Sequence, residues 1–180
     1  DNGQFNNPEG VALDAAGNMY STDAGNFRVQ KLMSNGGFSN KWGAQGTGNG
    51  QFAAYLVGIE ADGSGNVFIP DTNNHRVQKF STNGGFVEKW GSQGTGNGQF
   101  NTPLGIAVDN AGNVYVADTG NNRIVKFRPV TSVELVPDAV LVSENVPTSM
   151  TVGESKSVSI TMRNSGTKPW TAAERIRLMS

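Results

Sequence analysis

The sequence predicts an all-β chain assembled from repeated four-stranded units, and three observations carry that expectation. Glycine is abundant, 24 of 180 residues, and recurs at matched places as turn residues do, without the every-third spacing of collagen. The tripeptide Gly-Gln-Phe begins at Gly3, Gly50 and Gly98, so its copies stand 47 and 48 residues apart. Asp23, Asp71 and Asp118 keep a matching spacing, as do Arg28, Arg76 and Arg123, which is the mark of a repeat architecture.

The elements of one unit follow from its alternating apolar pattern and its turn chemistry. In the third unit Gly105–Asp109 (GIAVD) and Asn113–Asp118 (NVYVAD) flank Asn-Ala-Gly, and Arg123–Phe127 (RIVKF) follows a Thr-Gly-Asn-Asn corner. A fourth strand shows in the second unit as Phe86–Trp90 (FVEKW), reached through Asn83-Gly84, a dipeptide suited to tight hairpins. The linking segment Asn35-Gly36-Gly37-Phe38 through Lys41-Trp42-Gly43 returns as Asn83-Gly84-Gly85-Phe86 through Lys89-Trp90-Gly91. No segment keeps a 3.6-residue apolar period long enough for a helix. Four short antiparallel strands at a period in the forties describe a propeller blade, and the chain holds two full blades and most of a third. The second unit carries one extra residue near Tyr55–Val57, where the others have Pro8 and Pro103.

The pattern P-x-G-[IV]-A-[VL]-D-x-x-G-N-[VM]-[YF]-x-x-D-x-x-N-x-R-[VI]-x-K-[FL] resembles the NHL repeat. It is present as Pro8–Leu32, as Gly58–Phe80 without the proline, and as Pro103–Phe127. The resemblance implies a partial NHL-type β-propeller over residues 1–128. Propellers close with about four to eight blades, so the remaining blades are expected outside this sequence or from other chains.

After Phe127 the texture changes. Residues 129–139 read as a linker and 140–180 as part of a sandwich, because Val158, Ile160 and Met162 alternate with Ser157, Ser159 and Thr161. The stretch MTVGESKSVSITMRNSGTKPWTAAERIRL resembles the opening half of an immunoglobulin-like sandwich of the multi-tryptophan type found in bacterial surface proteins. In that reading Trp170 is a core residue.

Charge and composition exclude several function classes. The 14 basic and 15 acidic residues leave no net field toward nucleic acid or an anionic membrane. No apolar run approaches the roughly 18 residues a spanning helix needs. The absence of cysteine removes disulfides, thiolate metal sites and cysteine nucleophiles. No Ser/His/Asp set, P-loop or dinucleotide fingerprint is present, and no cofactor or metal is expected.

Candidate residues divide into a repeated set and a variable set. Asp23/Arg28, Asp71/Arg76 and Asp118/Arg123 recur in every unit, which favours a structural corner over a ring of ligand-reading charges. Trp42 and Trp90, with Phe38 and Phe86, are read as packing between blades. Asp62-Gly63-Ser64-Gly65-Asn66 has oxygen-bearing side chains at alternate positions like a calcium loop, but Ala16 and Ala111 break that pattern in the sister loops. His75, the single histidine, matches Phe27 and Asn122 in the other units and reads as a solvent-facing loop residue. Asn26, Asn73, Asn74, His75, Asn121 and Asn122 are the candidate binding-face loops.

These readings predict a non-enzymatic binding or scaffold module of an extracellular or cell-surface protein. Its expected partners are other protein chains, copies of itself included. Two alternatives stay open at this point. One is a fragment of a propeller enzyme of the lyase or hydrolase kind, with catalytic residues in other blades; the other is an RNA-binding propeller using the matched Lys31, Lys79 and Lys126.

Overall fold

A computed structural model describes residues 1–128, together with two strands further on, Ala139–Glu144 and Ile160–Asn164. The chain divides into two compact units, Asp1–Arg128 and Pro129–Ser180.

The first unit is a series of antiparallel meanders. Strands β1 (Pro8–Leu13), β2 (Met19–Asp23), β3 (Arg28–Leu32) and β4 (Phe38–Trp42) form one sheet in sequence order. Strands β5 (Glu60–Ala61), β6 (Val67–Asp71), β7 (Arg76–Phe80) and β8 (Phe86–Trp90) form the second in the same way. The third sheet holds β9 (Pro103–Val108), β10 (Val114–Asp118) and β11 (Arg123–Phe127) among the described residues. These are partial propeller blades. The predicted bounds of the strands starting at Arg123 and Phe86 coincide with β11 and β8.

Local chemistry explains the corners. Each second strand ends on its aspartate, and the next three residues, Ala24–Asn26, Thr72–Asn74 and Thr119–Asn121, make one 3-10 turn. Phe27, His75 and Asn122 then take the left-handed conformation with φ 52 in each case. That one left-handed residue reverses the chain so that Asp23 pairs Arg28, Asp71 pairs Arg76 and Asp118 pairs Arg123 in register. A bulky Phe or His at positive φ carries a strain of order 1–3 kcal/mol, held here by the hydrogen bonds of the corner. The second unit differs at its first strand. β5 is only two residues long; this unit carries the extra residue near Tyr55–Val57 and lacks the proline that opens β1 and β9.

The hydrophobic core lies between blades. Ala12, Tyr20 and Val29 of the first blade pack on Phe52, Leu56, Ile59, Val67, Ile69 and Phe80 of the second and its entry loop. Phe68 and Val77 of the second pack in turn on Phe100, Val114 and Val116 of the third. Aromatic rings chain through both interfaces: Tyr20 to Trp42 at 6.2 Å, Trp42 to Phe80 at 5.9 Å, Phe80 to Phe52 at 5.7 Å. The second interface repeats this with Phe68 to Trp90 at 6.4 Å and Trp90 to Phe127 at 5.6 Å. Each such large apolar side chain, fully buried, contributes about 1.5–3 kcal/mol. The inner strands come close at Gly10, where a Cβ would stand 2.5 Å from the Val57 carbonyl oxygen, and closer at Gly58, where it would collide with the Leu104 carbonyl oxygen, so only glycine admits the neighbouring backbone.

In the second unit Ala139–Glu144 pairs antiparallel with Ile160–Asn164, with an irregularity between Leu141 and Ser143. The rest of the sandwich expected over 140–180, Trp170 included, and the linker expected over 129–139 fall outside the described residues except for these strands.

Candidate functional site

The repeated corner is a closed network. In the second blade Asp71 Oδ2 accepts from Arg76 Nε at 2.8 Å, Asn74 Nδ2 at 2.8 Å and Gln78 Nε2 at 3.1 Å, while Oδ1 accepts from the Ala53 N–H at 2.9 Å. The guanidinium then donates to the carbonyls of Thr47, Gly48 and Gln51 at 2.6, 2.8 and 2.8 Å. Arg76 thereby pins the Gly-Thr-Gly-Asn-Gly-Gln loop that carries the chain from the first blade into the second. Arg123 does the same with the carbonyls of Thr95, Gly96 and Gln99, and Arg28 with those of Asp1 and Gln4. The three aspartate side chains are fully buried, and the paired arginines lie 13%, 7% and 33% exposed from the first blade to the third.

A glutamine two residues after the arginine on the same strand completes the network in two blades. Gln30 donates to the Gln4 carbonyl and accepts from the Gly3 N–H; Gln78 donates to the Gln51 carbonyl and accepts from the Gly50 N–H. The third blade has Val125 in that place, so the Gly98 N–H meets no side-chain amide there.

The electrostatics follow from these contacts. Burial alone raises the pKa of Asp23 and Asp118. It is outweighed by hydrogen bonds from the Asn6 and Asn101 backbone N–H, from Asn26 and Asn121, and from the Arg28 and Arg123 guanidinium groups with their charge. Both carboxyls are held below the ordinary value.

The binding-face candidates are placed as follows. Asn26, Asn74 and Asn121 donate their side-chain amides to Asp23, Asp71 and Asp118, and Asn74 and Asn121 also reach the Gly46 and Gly94 carbonyls. They are parts of the corner. Asn73 and Asn122 are exposed at the turns. His75 is half-buried, and its Nδ1 accepts from the Thr102 N–H at 3.2 Å, linking the second blade to the third. That link depends on a residue 27 positions away, which sequence spacing does not reveal.

The turns that raised the question of calcium are filled by donors. Asp62 accepts from the N–H groups of Ser64 and Asn66 at 2.9 and 2.8 Å and from Asn66 Nδ2 at 2.7 Å. Asp14 and Asp109 accept the equivalent bonds and one more each, from the Tyr20 and Tyr115 hydroxyls at 3.0 Å. Donors surrounding a carboxylate serve a turn. No group of three metal-ligating side chains of the His, Cys, Asp or Glu type occurs among the described residues. No helix among them is long and apolar enough to cross a membrane.

Two surfaces stand out. An open hollow of about 540 Å³ is lined by Asn26, Arg28, Lys41, Trp42, Gly43, Ala44 and Gln45. The two end faces of the blade series carry exposed apolar side chains: Val11 at 61% and Leu13 at 62% on the first blade, Ile124 at 68% on the third. Their equivalents inside the series, Ile59, Ala61 and Val77, face neighbouring blades and are buried or half-buried.

Comparison with known proteins fits this architecture. Residues 100–127 match the NHL repeat, covering most of the third blade. No curated protein matches the chain. Among solved structures, virginiamycin B lyase from Staphylococcus aureus is similar with TM-score 0.48 and 15% identity over 69% of this chain and 42% of its own. A streptogramin B lyase aligns with TM-score 0.48 and 17% identity over 67% of this chain and 40% of its own. Regucalcin, a calcium-binding protein of Agrobacterium tumefaciens, aligns with TM-score 0.48 and 12% identity over 66% of this chain and 44% of its own. The chain thus spans less than half the length of each.

Proposed function

We propose that this chain is a non-catalytic binding and scaffold module that acts through protein contact made by the faces of its blades. One observation carries the reading. The side chains with chemical potential are spent on one another in every blade, whereas Val11, Leu13 and Ile124 stand exposed on the two end faces. Large apolar side chains exposed on a face suit it to protein contact. The partner is another protein chain, and the setting we propose is extracellular or at a cell surface, in keeping with a cysteine-free chain of tandem β-modules with balanced charge.

Site-specific photo-crosslinking tests this. A crosslinking residue placed at Leu13 or Ile124 is expected to form adducts with polypeptide, identified by mass spectrometry, at several times the yield of one placed at Ser64 in an exposed polar turn. Equal yields at all three positions would overturn the reading.

A further inference from the structure

Five Asn-Gly dipeptides occur in the chain, at Asn2, Asn35, Asn49, Asn83 and Asn97. In such a dipeptide no side chain shields the glycine nitrogen, which can attack the carbonyl carbon of the asparagine side chain. The fold ties the glycine N–H in four of the five. Gly36 and Gly84 donate across their hairpin turns to the carbonyls of Met33 and Ser81, each at 2.8 Å. Gly3 and Gly50 donate to Oε1 of Gln30 and Gln78, each at 2.9 Å. The Gly98 N–H meets no acceptor among the described residues, and Gly98 is exposed where Gly50 is half-buried.

The difference is built into the third blade itself. In the first two blades the acceptor comes from the blade's own third strand, and β11 carries Val125 where β3 and β7 carry Gln30 and Gln78. Residues Gly46–Phe52 and Gly94–Phe100 share one sequence, Gly-Thr-Gly-Asn-Gly-Gln-Phe. Their backbones match as well: Gly50 and Gly98 have φ 72 and 71, and Gln51 and Gln99 donate to the carbonyls of Gly48 and Gly96 at 3.3 and 3.2 Å. Local sequence therefore gives Asn49 and Asn97 the same reactivity, and only the folded surroundings separate them.

We propose that this third-blade turn is a site of spontaneous modification, at which Asn97 closes on the Gly98 nitrogen and becomes isoaspartate. The Gly98 nitrogen gives its proton to hydroxide and bonds to Asn97 Cγ. The Cγ–Nδ2 bond breaks, the nitrogen takes a proton from water and leaves as ammonia, and a cyclic imide remains. Water then opens the imide. Attack at the main-chain carbonyl breaks its bond to the Gly98 nitrogen and leaves the chain running through the residue 97 side chain, which is isoaspartate; attack at Cγ gives aspartate. No oxidant, reductant or cofactor takes part.

The product acts on the corner that holds the turn. The Gly96 N–H donates to Gln99 Oε1 at 3.0 Å, and Arg123 Nη2 donates to the carbonyls of Gly96 and Gln99 at 3.0 and 2.7 Å. Isoaspartate adds a methylene to the backbone between those two carbonyls. The grip of Arg123 on the entry to the third blade slackens as a result.

Hydroxylamine cleaves an Asn-Gly bond through the same imide and so reads out its formation. The complete 180-residue chain is treated in native buffer and in guanidinium, and the fragments are weighed by mass spectrometry. In native buffer the cut between Asn97 and Gly98 is expected to run about two- to tenfold ahead of the cut between Asn49 and Gly50, the factor set by the net worth of one hydrogen bond. In guanidinium the two cuts are expected to keep pace. Equal rates or a lead for Asn49 in native buffer overturn the proposal, and so does a lead for Asn97 that persists in guanidinium, since the fold would then not be its cause. The slackening has its own readout. A chain held at mildly alkaline pH until Asn97 is converted is expected to unfold at lower urea than before, while an Asn97→Ser chain held alike keeps its midpoint. An unchanged midpoint after conversion overturns the effect on the Arg123 corner.

Discussion

Asp71 and Arg76 meet at 2.8 Å with the carboxylate wholly buried and the guanidinium 7% exposed, whereas the matching pair Asp118 and Arg123 meets at 2.7 Å with the guanidinium 33% exposed. One motif therefore sits in two dielectric settings. Removing one partner of a buried ion pair costs about 3–5 kcal/mol, because a bare charge is left behind. Arg76→Ala is expected to reach that range in urea unfolding. Arg123→Ala is expected to cost clearly less, since solvent screens its pair. Equal losses would show that the loop carbonyls, not the carboxylate, set the energetics.

Acid is expected to loosen the corners in a defined window. The carboxyls of Asp23 and Asp118 are held below the ordinary carboxylate value in the folded chain, against burial, by hydrogen bonds and the arginine charge. A depressed folded pKa contributes stability that is present above the unfolded value and is lost as pH falls through the folded one. Stability followed by urea midpoint is expected to be flat from neutral pH down to about pH 5 and to fall steadily below about pH 4. Asp118→Asn is expected to be less stable at neutral pH and to show a shallower acid fall than the unmodified chain.

The absent glutamine at Val125 gives a local prediction. Asn49-Gly50 has its glycine N–H tied to Gln78 Oε1, whereas the Gly98 N–H of Asn97-Gly98 has Val125 opposite it. Deamidation begins with that nitrogen attacking the asparagine side-chain carbonyl, so a free N–H reacts sooner. Peptide mapping after incubation at mild alkaline pH is expected to find Asn97 converted before Asn49. Val125→Gln, which offers an amide oxygen as Gln78 does, is expected to slow conversion at Asn97 and leave Asn49 unchanged.

The indole nitrogens of Trp42 and Trp90 are buried without a hydrogen-bond partner among the described residues. Their rings nevertheless sit in the aromatic chains between blades. Trp42→Phe is expected to cost clearly less than Trp42→Ala, because it removes an unpaired donor and keeps an aromatic ring in place. Trp42→Ala is expected to cost about 3–5 kcal/mol through the cavity it leaves. Thermal unfolding of both variants separates packing from hydrogen bonding as the role of this ring.

Repetition made the blades legible. Because Asp23, Asp71 and Asp118 recur with their arginines, the turn between second and third strands could be located before any contact was known. The arginine's other partners were not legible. The carbonyls of Thr47, Gly48 and Gln51 lie 25 to 29 residues before Arg76, and only the folded loop brings them within reach. The brevity of β5 was hidden for a related reason: the extra residue near Tyr55 was visible, but where the strand begins depends on backbone angles. Asn26, Asn74 and Asn121 looked available because asparagine in a corner is ordinarily a solvent-facing turn residue, and the buried carboxylate that engages each one is a product of tertiary packing.

Because the apolar clusters straddle neighbouring blades, no single blade owns a core, and the unit that melts is a junction rather than a sheet. In such linear arrays stability is close to a sum over nearest-neighbour junctions. The second blade contributes to both clusters. Opening passes from junction to junction, so any contact that tightens one junction protects amide protons several strands away from it.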